Sequence, residues 1–236
     1  MTEPPEWAED PEVPGAVPTP DPTPDEIAAL LQVEHLLDQR WPETKIEPSL
    51  TRISALMDLL GSPQLAYPSI HVAGTNGKTS VARMIDALIT ALHRRTGRTT
   101  SPHLQSAVER ISIDAKPISP AQYVATYREI EPFVQMVDAQ SQAAGGPAMS
   151  KFEVLTAMAF AAFADAPVDV AVVEVGMGGR WDATNVINAP VAAITPIALD
   201  HVDYLGDDLA GIAGEKAGII TRAPEGAPDT VAVIAR

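Results

Sequence analysis

The chain has no cysteine. That excludes disulfides, thiolate-held metals and cysteine nucleophiles, and it fits a reducing, cytoplasmic setting. Basic residues are scarce: 16 Lys and Arg stand against 31 Asp and Glu, a formal charge of −15. A nucleic-acid surface needs clustered Lys and Arg to meet phosphates, so no such partner is expected. Only five residues are lysine, which makes Lys78, set in a glycine-rich turn, conspicuous. No apolar run approaches the ~18–20 residues that span a bilayer, so no membrane association is expected. The N-terminus is acidic and proline-rich rather than basic and then apolar, which is not the pattern of a secretory leader. What remains is a 236-residue chain, long enough for a substantial core, and expected to be monomeric.

Residues 1–25 carry eight prolines, many acids and no basic residue. They hold about half of the net acidity and cannot bury enough apolar surface to offset ordering entropy, so a disordered acidic tail is expected there. The rest, 26–236, reads as one domain. Helical patterns run over 26–38 and 49–60, the second stopped by Gly61-Ser62-Pro63. An apolar strand near 69–73 precedes a glycine turn and a helix. In that helix Val81, Met84, Ile85, Leu88, Ile89 and Leu92 recur on one face. Residues 109–119 alternate like a short hairpin, 120–139 look helical, and 140–150 look like a surface loop. A helix at 151–164 leads to a strand at 169–175. A strand at 191–197, a helix near 207–218 and a strand at 230–235 follow. Strands apolar on both faces and alternating with helices predict an α/β fold: a mostly parallel sheet covered by helices on both faces.

Ligands of open parallel sheets bind beyond the carboxyl ends of the strands, so the loops there matter most. The first is Gly74-Thr75-Asn76-Gly77-Lys78-Thr79. Glycines allow a tight turn whose N–H groups face an anion, the following helix adds the positive end of its dipole, and Lys78 supplies charge. A phosphate-binding loop is predicted, in preference to a simple turn in which Thr75 or Asn76 caps the helix. The common spacing of such a loop would put glycine at position 72, where Val72 stands. After the second strand, Glu174 precedes Gly176, Gly178, Gly179, Arg180 and Asp182. Glu174 is either a ligand for a Mg²⁺ that bridges to phosphate or an acid that happens to end a strand. After the third, Asp200, His201 and Asp203 cluster. His201 could ligate a metal, although alone it would read as a surface histidine. His35, His71 and His93 lie within helix or strand patterns and read as structural. Ser101-Pro102-His103-Leu104 reads as a loop of undecided role.

Taken together, "HVAGTNGKTSVARM", "TSPHL" with "ERI", "KFEVLTAMAF", "VVEVGMGGRWDATNVI", "LDHVDYLG" and "EKAGI" resemble the Mur-ligase superfamily. Within it the likeness is to the folylpolyglutamate synthase/dihydrofolate synthase family, from about residue 48 to 236. The family's phosphate loop is one residue tighter than the common form, which accounts for Val72. The resemblance implies that Gly74 to Thr79, with Ser80, cradle the phosphates of ATP. It implies that Ser101, Glu174, His201 and Lys216 hold Mg²⁺, Lys216 as a carbamate. Phe152, Asp182 and Ala183 would contact the pterin-bearing substrate. One departure is Thr79, where this family usually has glycine; a hydroxyl there agrees with the wider superfamily.

The implied reaction is ATP-dependent amide formation through an acyl phosphate, with dihydropteroate or a folate as acid and L-glutamate as amine. Lys78, Lys216 and His201 are the expected catalytic residues, and ATP and Mg²⁺ the expected cofactors. The family carries a longer ATPase domain followed by a glutamate-binding domain, so this sequence is expected to be an N-terminal piece.

Overall fold

The computed structural model describes residues 21–42, 49–200, 202–221 and 229–235. Most of the expected acidic tail therefore lies outside the described residues. Helix α1, Pro24–Asp38, starts two residues earlier than expected. Thr23 and Glu26 form a reciprocal capping box, and Pro24 occupies the first helical position, where its missing N–H costs nothing. The same device starts α4, Pro120–Ala143, through Ser119 and Gln122, and α5, Lys151–Asp165, through Ser150 and Glu153. Helix α4 runs further than its polar C-terminal sequence suggests, so the expected loop at 140–150 begins only after residue 143.

Seven strands form one sheet: β1 Ser69–Ala73, β2 Thr96–Thr99, β3 Ile111–Ile113, β4 Lys116–Pro117, β5 Val170–Glu174, β6 Val191–Ile194 and β7 Val231–Ile234. Their order is β4-β3-β2-β5-β1-β6-β7. Five consecutive strands, β2 through β7 in that order, are parallel, and the β3–β4 hairpin adds an antiparallel edge. The predicted α/β class and mostly parallel sheet are thus observed. Successive side chains of β1 point to opposite faces. Val72, with Val172 and Ala193, packs on Ala82 of α3, Lys78–Ala91, while Ala171 and Val173 join the larger core under α5. Helix α2, Thr51–Leu59, and α1 pack outside α5 in that same core.

Two expectations about this region are corrected. Strand β2, with the sequence Thr-Gly-Arg-Thr, was not foreseen, because it lacks an apolar signal. It is nonetheless fully buried, with Arg98 paired to Asp86 of α3 at 3.2 Å and donating to Ser112 Oγ at 2.7 Å. That pair also turns α3. Asp86 and Ala82 are its buried residues; of the expected apolar face, Val81, Ile85 and Ile89 pack beside Val72, whereas Met84, Leu88 and Leu92 are exposed. On the opposite face of β2, Gly97 lets α5 come close: a Cβ there would lie 2.6 Å from the Phe163 ring.

Candidate active site

Four parallel strands, β1, β2, β5 and β6, deliver the loops predicted to carry chemistry to one edge of the sheet. The glycine turn leaves β1 at Gly74, whose φ of +145° and lack of a side chain are both required, since a Cβ would collide with the Thr195 hydroxyl. The turn is pinned from the neighbouring strand. The Thr75 and Asn76 amides donate to the Pro196 carbonyl at 3.1 and 3.4 Å, and Thr75 Oγ1 bonds both the carbonyl and the amide of Ala198.

Helix α3 then begins at Gly77, which has φ +82° and supplies no capping side chain. Neither Thr75 nor Asn76 caps the helix, so the simple-turn reading does not describe this loop. Its first amides and dipole face the sheet edge without a side-chain partner, the arrangement that receives an anion. Lys78 is half-buried and folded back to the Thr75 carbonyl at 3.5 Å.

Glu174 ends β5 and is buried beside this turn. Its carboxylate accepts the Thr79 hydroxyl at 2.8 and 3.0 Å and the Ser101 amide at 3.4 Å. Burial pushes its pKa up; the Thr79 bond and the Lys78 charge only partly offset this. A buried carboxylate that remains under-compensated, among hard oxygen donors at the phosphate edge, suits a divalent cation. Ser101 stands there because β2 delivers it.

After the short helix α6, Val202–Leu205, Lys216 lies in α7, Leu209–Ala217, and is buried with its Nζ donating to the Gly74 carbonyl at 2.9 Å. Burial lowers its pKa, and the Lys78 charge lowers it further against Asp200. His201, the remaining expected metal ligand, lies outside the described residues.

The loop after β5 forms the second half of the site. Phe152, in the first turn of α5, is half-buried and rests on Gly176, where a Cβ would lie 2.5 Å from Phe152 Cζ. Asp182 and Ala183 are buried at the start of a short 3-10 helix, Ala183–Val186. Asp182 accepts the Met177 amide at 2.8 Å, the Thr184 amide at 3.0 Å and the Thr184 hydroxyl at 2.5 Å. Burial pushes Asp182 up, and those bonds oppose it. The loop is also docked on α7: the Arg180 amide donates to the Glu215 carbonyl at 3.0 Å, and a Cβ on Gly179 would meet that carbonyl at 2.6 Å.

Sequence reasoning missed two contributors. Thr195 and the Pro196–Ala198 segment buttress the glycine turn after β1, and His71, set aside as structural, contacts Thr184. Neither carries a local sequence signal; both emerge only from strand order.

The Mur ligase middle domain family matches residues 72–236. The chain is 88% identical over 218 residues to a Mycobacterium tuberculosis protein named dihydrofolate synthase/folylpolyglutamate synthase, covering 91% of this chain and 45% of that protein. A Bacillus subtilis protein of the same name is 40% identical over 189 residues, covering 80% and 42%. A crystal structure of Mycobacterium tuberculosis folylpolyglutamate synthase complexed with ADP superposes with a TM-score of 0.84 at 86% identity, covering 90% of this chain and 46% of that one. A Thermotoga maritima folylpolyglutamate synthase gives a TM-score of 0.73 at 39% identity, covering 84% and 43%. The chain thus spans under half the length of these relatives.

Proposed function

Because the chain belongs to the Mur ligase family through its middle domain, we propose that it serves an ATP-dependent ligase that joins L-glutamate to dihydropteroate or a folate. The observation that carries this reading is the meeting of an uncapped α3 N-terminus, Lys78 and the Thr79–Glu174 pair at one sheet edge. The likeness to proteins named for both dihydrofolate and folylpolyglutamate synthesis supports the substrate class.

In this reading the backbone from Gly74 to Ser80 cradles the ATP phosphates, and Lys78 swings from the Thr75 carbonyl to the terminal phosphates. The substrate carboxylate attacks the γ-phosphorus to give an acyl phosphate and ADP. The glutamate amine then displaces phosphate, forming the amide. Lys78 offsets charge on the transferring group, and positioning by the two loops supplies much of the remaining acceleration. Ser101, Glu174, His201 and Lys216 would hold Mg²⁺, which neutralises phosphate charge when bound. Lys216 would do so as a carbamate: its lowered pKa favours the neutral amine, which takes up CO2 and releases a proton. Phe152, Asp182 and Ala183 form the proposed face for the pterin, with Phe152 stacking and Asp182 chiefly shaping the loop.

The test is Lys78→Ala in the full-length protein, assayed for dihydropteroate-dependent and folate-dependent ligation alongside thermal melting. Turnover should vanish while the melting temperature holds; near-normal ligation would overturn the assignment. Stimulation of ATP hydrolysis by a UDP-linked muramyl substrate, and not by dihydropteroate, would place the protein among the cell-wall ligases instead.

A further inference from the structure

His71 sits on β1, the middle one of the five parallel strands, with Val173 and Ala192 as its register neighbours. It is wholly buried, in surroundings that offer little to a polar ring. Its one close polar partner among the described residues is distant in sequence: Nε2 lies 2.8 Å from Thr184 Oγ1. The Thr184 hydroxyl donates onward to Asp182 Oδ1 at 2.5 Å. A hydroxyl has a single proton, and with that proton directed at Asp182 the oxygen can only accept from the ring. The hydrogen is thereby assigned to Nε2. Nδ1 is left as a bare lone pair with no partner among the described residues. An orphaned acceptor is tolerated more readily than an orphaned N–H, which agrees with this tautomer. Burial pushes the imidazole down to about 3, so it remains a neutral donor at physiological pH.

The other end of the relay is a loop organiser. Asp182 accepts from Met177, near the start of the turn after β5, and from Thr184, at its end. A strand-core imidazole therefore orients a hydroxyl, the hydroxyl orients a carboxylate, and the carboxylate gathers a glycine-rich turn whose Gly176 supports Phe152. Aligned donors of this kind reinforce one another in a dry interior. A leucine could fill the same space, but only a donor at the Nε2 position satisfies the Thr184 oxygen, whose proton is committed to Asp182.

We infer that His71 is a positioning residue: through Thr184 and Asp182 it holds the Gly176–Asn185 loop against Phe152 and thereby sets affinity for the pterin-bearing substrate. This rests on the reading of that loop as the substrate face. The glycine turn after β1 is held instead by Pro196 and Ala198, which are not members of this relay.

Calorimetry on the full-length protein, with dihydropteroate and separately with a non-hydrolysable ATP analogue, tests the inference. His71→Leu and Thr184→Val should each weaken dihydropteroate binding roughly tenfold, the scale of one buried hydrogen bond, and leave the nucleotide unchanged. His71→Gln, whose amide nitrogen reaches about as far as Nε2, should recover most of the loss. The Leu/Val double variant should be no worse than either single one, because both break the same relay. Equal losses for both ligands, unchanged dihydropteroate affinity, or failure of glutamine to recover binding would each overturn the inference. Should His71→Leu not fold, Thr184→Val decides with the same two ligands. Phe152→Ala separates the layers. If it leaves dihydropteroate binding intact, the substrate-face reading falls and the inference with it. If it weakens binding while the His71 and Thr184 variants do not, only the inference falls.

Discussion

Thr79 donates its hydroxyl to Glu174 at 2.8 Å, which ties the first turn of α3 to the end of β5. The glycine turn and the candidate metal ligand are thus one unit, and burial of the carboxylate at its centre disfavours its charged form.

That cost predicts a separation of stability from activity at Glu174. Glu174→Gln keeps an oxygen for the Thr79 hydroxyl and the Ser101 amide but removes the buried charge. Its melting temperature should equal or exceed the parent's, while Mg²⁺-dependent ATP-analogue binding and ligation are lost. A marked fall in melting temperature with metal dependence intact would contradict the role assigned to this residue.

The buried imidazole of His71 predicts a specific acid sensitivity. It titrates at about 3 in the fold against 6.5 when unperturbed, so between these values the unfolded chain binds the extra proton. Stability from this group is therefore complete above about pH 6.5 and falls as the pH drops toward 3, by up to about 1.4 kcal/mol per pH unit. Asp182 and Glu174, both raised by burial, act in the opposite sense at the acid end. The difference between the parent and His71→Gln isolates the histidine. Urea unfolding at pH 7 and pH 5 should show the parent losing more stability than the variant; parallel losses would contradict it.

The Arg98–Asp86 pair predicts a large penalty for a single substitution and a small one for two. Arg98→Met leaves the Asp86 carboxylate buried without its counter-charge and should cost about 3–5 kcal/mol. Combining it with Asp86→Leu should restore much of that, because desolvated charge is removed from both sides. Urea denaturation of the two singles and the double forms the cycle, and strict additivity would rule out the coupling.

The same pair explains where the sequence was legible and where it was not. Strands β1, β5 and β6 announce themselves as apolar runs, and the glycine–lysine turn after β1 is readable from spacing and residue type. Strand β2 is invisible to hydrophobic periodicity and the orientation of α3 only half readable, because a buried ion pair puts a charged residue in the core on each. Arg98 makes a core strand look like a loop, and Asp86 makes the buried face of α3 look polar, so Met84, Leu88 and Leu92 pose as the core side. The glycine–lysine turn is one contiguous segment, so its strand–turn–helix order can be read directly. The buttress from Thr195 to Ala198 and the His71–Thr184 contact join residues more than a hundred positions apart, and only the parallel order of the strands brings them together. Lys216 had no local signal either. It reads as an ordinary helix lysine until α7 is docked on the Gly74 carbonyl.

Gly74 offers the sharpest test of how the phosphate turn is built. Two independent constraints meet there: a φ of +145°, which L side chains rarely adopt, and the Thr195 hydroxyl in the space a Cβ would fill. Gly74→Ala must therefore strain the backbone and push Thr195 outward together. The Pro196 carbonyl, which receives the Thr75 and Asn76 amides, belongs to the next residue along the chain. Backbone strain of this kind costs about 1–3 kcal/mol, modest against the stability of a domain, so the variant should fold with a lowered melting temperature. The loss of function should be larger than the loss of stability, because the amides proposed to cradle the phosphates move while the core under α5 does not. Calorimetric titration of the variant with an ATP analogue should show nucleotide affinity lowered at least tenfold at a temperature where the protein is folded. Trimming the obstacle with Thr195→Ser, which keeps the hydroxyl, should not rescue it; Thr195→Gly, which removes the clash, should recover part of the affinity. Wild-type nucleotide affinity in Gly74→Ala would show that the turn does not depend on this close approach.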